Sequence, residues 1–377
     1  MLIALGLLLA AQDPAAIDRA VHDGIAAGVF PGAVVVVGTG DRVIHARGYG
    51  HFTWKATGPV PDPDGTLFDL ASLTKVVATT TAVMLLADRG LLALQHPVQR
   101  YLPGFTGDGK DSVTVRHLLE HRSGLRPFLR LDTLARDAAE ARRLVLIEPL
   151  RHPPGAQVVY SDLNAMLLGW IVEQVSGTTL DAFAAQEVLR PLGMTRAGFR
   201  PARSQRDAIM PVGLWRGHAI AGEVHDQNAA RLGGVAGHAG LYATGREVAR
   251  FAQFMLRRGT TAEGATLVRT GVVDAFVRRG PGNRALGWEM RDTTLSDNSG
   301  QWMSAATYGH TGYTGTSLWI DPQRQVFVVL LTNRVFAPRT NRSISELKRV
   351  RAAVADAAVL LVDACRPAGT CPHADPP

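Results

Sequence analysis

The stretch Phe68-Asp69-Leu70-Ala71-Ser72-Leu73-Thr74-Lys75-Val76-Val77-Ala78 places a lysine inside an apolar run. The chain holds four lysines (Lys55, Lys75, Lys110 and Lys348), and Lys75 alone sits in such surroundings. An ammonium there must reach water or lose its charge, because burying it unpaired is costly. On a helix, residues three apart share a face, so the Lys75 amine lies beside the Ser72 hydroxyl. A hydroxyl next to a partly desolvated amine is the minimal kit for an activated serine nucleophile. The same spacing recurs at Ser345-Glu346-Leu347-Lys348, in a polar, Arg-rich stretch that reads as an exposed helix face. Spacing alone therefore does not make a nucleophile, and Ser72 equally suits a helix N-cap.

Working outward, the pattern from Ser72 to about Asp88 is helical and strongly apolar, which predicts a central helix stopped by Gly90. Upstream, Gly32–Gly38 is a β-branched run, and Arg42–Arg47 follows across Thr39-Gly40-Asp41, predicting an antiparallel hairpin. A second hairpin is predicted where Thr316–Ile320 and Gln325–Asn333 flank Asp321-Pro322-Gln323-Arg324. Leu163–Val175 reads as an amphipathic helix ending at Gly177, and Ile344–Ala364 as a closing helix. Residues 91–230 are mostly short helices broken by Pro and Gly. Strands at both ends and helices between them predict an α/β (α+β) fold: one antiparallel sheet flanked by helices, with an inserted helical lobe. The expected organisation is a single domain over 16–365, its sheet lobe about 16–90 and 231–365 and its helical lobe about 91–230. The seam between lobes is the expected pocket.

At 377 residues, 46% hydrophobic and 19% charged, the chain has ample material for a core. The net charge of +7 is carried almost wholly by scattered arginines, with no basic run interleaved with aromatics, so nucleic acid is a poor partner. No transmembrane helix is expected beyond the N-terminus. Residues 1–12 are apolar and end in small residues, like the core and cleavage site of a secretory signal, though no basic residue precedes them. The alternative is a first helix on the surface. Export predicts a secreted or periplasmic protein. The two cysteines, Cys365 and Cys371, bracket Pro367 and Gly369, and a small loop-closing disulfide fits an oxidising compartment. Residues 366–377 read as a tail.

Three more segments carry chemistry. Tyr160 follows the Pro154-Gly155 turn and precedes the amphipathic helix; near positive charge its phenol can act as a general base, and otherwise it packs its ring. Tyr308-Gly309-His310-Thr311-Gly312-Tyr313-Thr314-Gly315 precedes a strand, and its glycines let backbone approach a ligand. His310 there offers positive charge or a hydrogen bond to a substrate carboxylate, or is an idle turn histidine. Gly233-Gly234-Val235-Ala236-Gly237-His238-Ala239-Gly240 follows His225-Asp226. Its spacing is too loose to favour a metal site at His225, Asp226 and His238 over a glycine-rich pocket wall bearing His238.

In order, Ser72-x-x-Lys75, His117-Leu118-Leu119-Glu120-His121-Arg122-Ser123-Gly124-Leu125, Tyr160-Ser161-Asp162, Pro191-Leu192-Gly193-Met194 and His310-Thr311-Gly312 run along the chain. This series resembles the serine β-lactamase and penicillin-binding-protein superfamily, in its class C-like branch of DD-peptidases, esterases and β-lactamase-related hydrolases. The resemblance implies the β-lactamase/transpeptidase-like fold. It also implies an acyl-enzyme on Ser72, with Lys75 and Tyr160 shuttling the proton. The backbone amides of Ser72 and Tyr313 would form the oxyanion hole, and Asp162, His310, Thr311, Gly312 and His238 would meet the substrate. No metal or organic cofactor is implied.

Two positions depart from the family. His310 stands where many β-lactamases have lysine, which predicts weaker, pH-dependent carboxylate recognition. Asp162 replaces an asparagine that donates to the substrate carbonyl; an ionised Asp only accepts, and it would pair with Lys75 and raise its pKa. The expected function is an exported serine hydrolase acting on peptidoglycan-type D-amino-acid peptides, as a carboxypeptidase or endopeptidase, or on small esters. A class C-like β-lactamase is the alternative, and a non-catalytic cell-wall-binding protein of the same fold a second.

Overall fold

The computed structural model describes residues 15–294 and 298–365. The signal-like segment 1–12, the tail and Cys371 lie outside the described residues.

The strands are β1 (Gly32–Gly38), β2 (Val43–Gly50), β3 (Phe68–Asp69), β4 (Gly198–Phe199), β5 (Gly213–Trp215), β6 (His218–Ile220), β7 (Leu241–Ala243), β8 (Glu289–Met290), β9 (Tyr308–Thr311), β10 (Ser317–Asp321) and β11 (Val326–Thr332). The helices are α1 (Ala15–Ala26), α2 (Thr81–Asp88), α3 (Val115–Leu119), α4 (Leu131–Leu134), α5 (Ala138–Ile147), α6 (Asp162–Ser176), α7 (Leu180–Phe183), α8 (Gln227–Arg231), α9 (Gly245–Leu256), α10 (Thr270–Val277) and α11 (Ser343–Cys365). No helix among the described residues is long and apolar enough to cross a membrane.

The main sheet is antiparallel in the order β2-β1-β11-β10-β9-β8. Both predicted hairpins are present, and they meet where β1 pairs with β11, Val35 opposite Leu330. Every residue of β1 is buried, since the strand alternates between two cores. Ala33, Val35 and Val37 join Ile17 and Val21 of α1 and Val350 and Val354 of α11 on one face. Val34 and Val36 join Phe251 of α9 and the apolar side of α2 and α6 on the other. The fold is therefore a mixed α/β protein with an antiparallel sheet flanked by helices.

Gly90 and Gly177 end α2 and α6 with φ of +72° each, conformations that glycine adopts without penalty. Residues 91–230 hold more than helices: β4 pairs with β7, and β5 and β6 form their own hairpin. Strands of two or three residues carry no readable alternation, which is why the sequence does not announce them.

Candidate active site

Ser72 sits on a turn between β3 and the helix that leads into α2. Ala71, just before it, has φ +47°. That strained geometry is held from several sides. The buried Asp69 carboxylate accepts the Ala71 amide through Oδ1 at 2.8 Å and the His225 amide through Oδ2 at 2.8 Å. Burial nonetheless pushes its pKa up to about 6. The hydroxyls of Thr314 and Thr316 donate to the carbonyls of Asp69 and Leu70 at 2.8 and 2.9 Å, tying the turn to the segment after β9. After Ser72 the chain winds as a π-helical segment, Lys75–Thr80, a geometry common at functional sites, before α2 begins.

Lys75 is 3% exposed. Its Nζ donates to Ser72 Oγ at 2.9 Å and to the His238 carbonyl at 3.2 Å, and lies 2.7 Å from Asp162 Oδ1. Burial works against the charge, but the Asp162 carboxylate, helped by Tyr160, outweighs it and holds the Lys75 pKa above its ordinary value. Asp162 opens α6 and thereby reaches Lys75. Asn164, two residues on, instead accepts from Ser123 at 2.6 Å and faces His121 at 3.2 Å.

The Tyr160 hydroxyl lies 3.1 Å from Ser72 Oγ. Lys75 Nζ stands 5.0 Å from the centre of its ring and the Arg284 guanidinium 5.3 Å. His121 packs on the same ring at 4.7 Å between centroids. Its Nδ1 faces the Ser161 amide at 3.2 Å, so that nitrogen accepts. Burial, with Arg284, Lys75 and His310 around it, keeps the His121 imidazole well below its usual pKa.

His310 behaves differently from the sequence-based expectation. Its Nδ1 lies 2.8 Å from the Thr311 carbonyl, which only accepts, so the proton sits on Nδ1. Burial first, then the Lys75 and Arg284 charges, pushes its pKa down to about 3. His310 is thus neutral near pH 7 and supplies neither positive charge nor pH-dependent carboxylate recognition in that range. Its Nε2 is a buried acceptor with no partner among the described residues. Because β8 pairs only with Tyr308 and Gly309 of β9, the edge at His310 and Thr311 stays open. Gly312 is needed for close approach: a Cβ there would lie 2.1 Å from Thr316 Oγ1 and 2.7 Å from the Leu70 carbonyl. Tyr313 follows, its ring exposed and stacked on His225 at 5.5 Å. Arg334 Nε donates to its carbonyl at 3.1 Å. The amides of Ser72 and Tyr313 meet no acceptor among the described residues.

His238, expected on the pocket wall, turns its imidazole inward: it is 1% exposed and its Nε2 donates to Asp226 Oδ1 at 2.9 Å. Only its carbonyl touches Lys75. The possible metal trio also changes membership. Asp162, Asp226 and His238 bring their ligating atoms within 4.8 Å of one another, whereas His225 is drawn off to Tyr313. Lys75 supplies a positive charge beside the Asp162 member of that cluster.

Sequence reasoning missed Arg284. It stands over Tyr160 with its Nη1 buried and lacking a hydrogen-bond partner among the described residues. Gly280-Pro281-Gly282-Asn283, which precedes it, signals a turn and nothing more.

A family model described as Beta-lactamase matches residues 17–353. The chain belongs to the Beta-lactamase family. Among relatives, an N-acetylmuramyl-L-alanine amidase of Bacillus subtilis (strain 168) is 34% identical over 364 residues, covering 85% of this chain and 81% of the relative. A protein of Escherichia coli (strain K12) to which D-alanyl-D-alanine carboxypeptidase activity is ascribed is 33% identical over 312 residues, covering 74% and 72%. Among solved structures, EstCE1, described as a hydrolase with promiscuous acyltransferase activity, aligns with a TM-score of 0.73 at 22% identity over 91% of this chain and 97% of its own. A penicillin-binding protein homologue from Caulobacter crescentus aligns with a TM-score of 0.72 at 20% identity over the same shares. The likenesses to solved structures show the Beta-lactamase family fold in this chain.

Proposed function

We propose that this Beta-lactamase family protein is an exported serine hydrolase that forms an acyl-enzyme on Ser72. The observation that carries the reading is the convergence of Lys75 Nζ and the Tyr160 hydroxyl on Ser72 Oγ, at 2.9 and 3.1 Å. Asp162 keeps Lys75 charged, so Lys75 orients Oγ and stabilises negative charge rather than removing the proton. Tyr160 accepts the Ser72 proton as it passes its own to the leaving group, while the Lys75 and Arg284 cations offset negative charge on its oxygen. The Ser72 oxygen bonds to the acyl carbon, the leaving group departs with the proton, and water reverses the sequence to free the acid. The Ser72 and Tyr313 amides receive the developing oxyanion.

The substrate reading is a peptidoglycan-type D-amino-acid peptide or a small ester. The names of the bacterial relatives support the first and that of EstCE1 is compatible with the second. Arg284 suits a substrate carboxylate, and the His310 Nε2 acceptor suits a substrate N–H. The charged Lys75–Asp162 pair and the neutral His310 weigh against efficient β-lactam turnover.

The test is a panel of p-nitrophenyl esters, D-Ala-D-Ala peptides and a chromogenic cephalosporin, with a fluorescent phosphonate to label the nucleophile. Wild type should turn over an ester or peptide faster than the cephalosporin and take up one label at Ser72. Ser72→Ala should do neither; full turnover in that variant refutes the assignment.

A further inference from the structure

We propose that a cavity rimmed by Arg200, Arg203 and Arg206 is a second ligand site, separate from Ser72, which takes a carboxylate or phosphate carried on an apolar body. The cavity measures about 790 Å³, within the usual range of small-molecule sites, and Ser72, Lys75 and Tyr160 do not line it. Arg203 and Arg206 belong to the 3₁₀ turn Arg203–Ala208, where residues three apart stand on one side. Arg200 is engaged by Asp181. Arg203 and Arg206 line the cavity and have no ion-pair partner among the described residues, and Glu223 is the one acidic residue in the lining. A guanidinium fork matches the paired oxygens of a carboxylate or phosphate.

Below the rim the lining is apolar, with Ile209 and the ring of Tyr242 at its floor. Burial, reinforced by the Asp69 and Glu223 charges, keeps the Tyr242 phenol protonated, so the floor carries no negative charge to repel an anion. An isolated inorganic anion would leave that apolar surface uncovered; an anion with a hydrocarbon body covers it. The cavity also adjoins the nucleophile's support, because Tyr242 lies opposite Asp69 in the β3–β7 pair.

The test is isothermal titration calorimetry with octanoate and octyl phosphate, and with octanol and inorganic phosphate as single-feature probes. At least one amphiphile should bind wild type once per chain, and more tightly than octanol or inorganic phosphate. Which of the two binds better tells a carboxylate site from a phosphate site. Arg203→Ala/Arg206→Ala should weaken it on the order of tenfold or more, since charge-assisted contacts are lost. Ser72→Ala should bind as wild type does. Absence of saturable binding, equal affinity in the arginine variant, or displacement of the amphiphile by covalent labelling of Ser72 would each overturn the proposal. Both arginines are exposed, and phosphonate labelling of Ser72 in the double variant reports its folding and tests the nucleophile independently.

Discussion

Lys75 Nζ and Asp162 Oδ1 lie 2.7 Å apart while Nζ also holds Ser72 Oγ, so the carboxylate that fixes the lysine's charge belongs to the Ser72 hydrogen-bond network. Asp162→Asn removes the charge that offsets burial, and the Lys75 pKa should fall. Lys75 then becomes available as a base at lower pH. With Lys75 joining Tyr160 as a base, cephalosporin hydrolysis should rise roughly tenfold near neutrality and gain a pH dependence there that wild type lacks, because a titrating lysine now takes part. An unchanged profile would mean that Asp162 does not set the charge of Lys75.

Histidine burial should govern acid stability. The folded-state pKa of His310 is about 3 and that of His121 is also well below the ordinary 6.5, so the unfolded chain binds protons first as pH falls. Stability should therefore drop below about pH 6.5, in the case of His310 until about pH 3, by up to about 1.4 kcal/mol per pH unit for a single histidine. Asp69 acts in the opposite sense between about 6 and its ordinary 3.8, because its folded form takes the proton first. Urea unfolding at pH 4 to 7 should show the net decline in wild type and a shallower one in His310→Gln. Equal slopes would disprove the burial argument.

Arg284→Gln keeps a planar polar group and removes the cation over Tyr160. Ester acylation should slow roughly tenfold, with a larger loss for donors that carry a carboxylate, while the melting temperature barely moves. Stopped-flow acylation of a paired neutral and anionic ester would read the difference. Equal losses for both esters would remove Arg284 from substrate recognition.

Gly237 packs backbone against backbone: a Cβ there would stand 1.9 Å from the Ala165 carbonyl of α6. Neither chain segment can yield cheaply. Gly237→Ala should cost about 1–3 kcal/mol and also impair catalysis, because Thr79 bonds the Gly237 carbonyl and Lys75 the next one. Thermal melts and Ser72 labelling rates should decline together.

The sequence made the hairpins legible because they alternate or run β-branched between turn residues, and its ordered motifs singled out Ser72, Lys75 and Tyr160, which converge in the fold. Asp162 is readable as a partner for Lys75 because it stands where the resembled family has an asparagine beside the serine and lysine. What escaped was whatever depends on burial. The charge state of His310 is set first by its enclosure and then by the Lys75 and Arg284 charges, none of which is encoded near residue 310. The inward turn of His238 depends on Asp226 arriving from another loop. Arg284 comes from a turn with no recurring pattern, and β4 to β7 are too short to carry a period.

The threonine hydroxyls that secure the Ser72 turn come from 245 and 246 residues further along the chain. A polypeptide still emerging from the ribosome has the serine, the lysine and the tyrosine long before it has Thr314, Thr316 or strand β11. Until those last segments are made, the Ser72 turn lacks its two threonine tethers. The geometry around Ser72 is thus completed only when Thr314 and Thr316 join it.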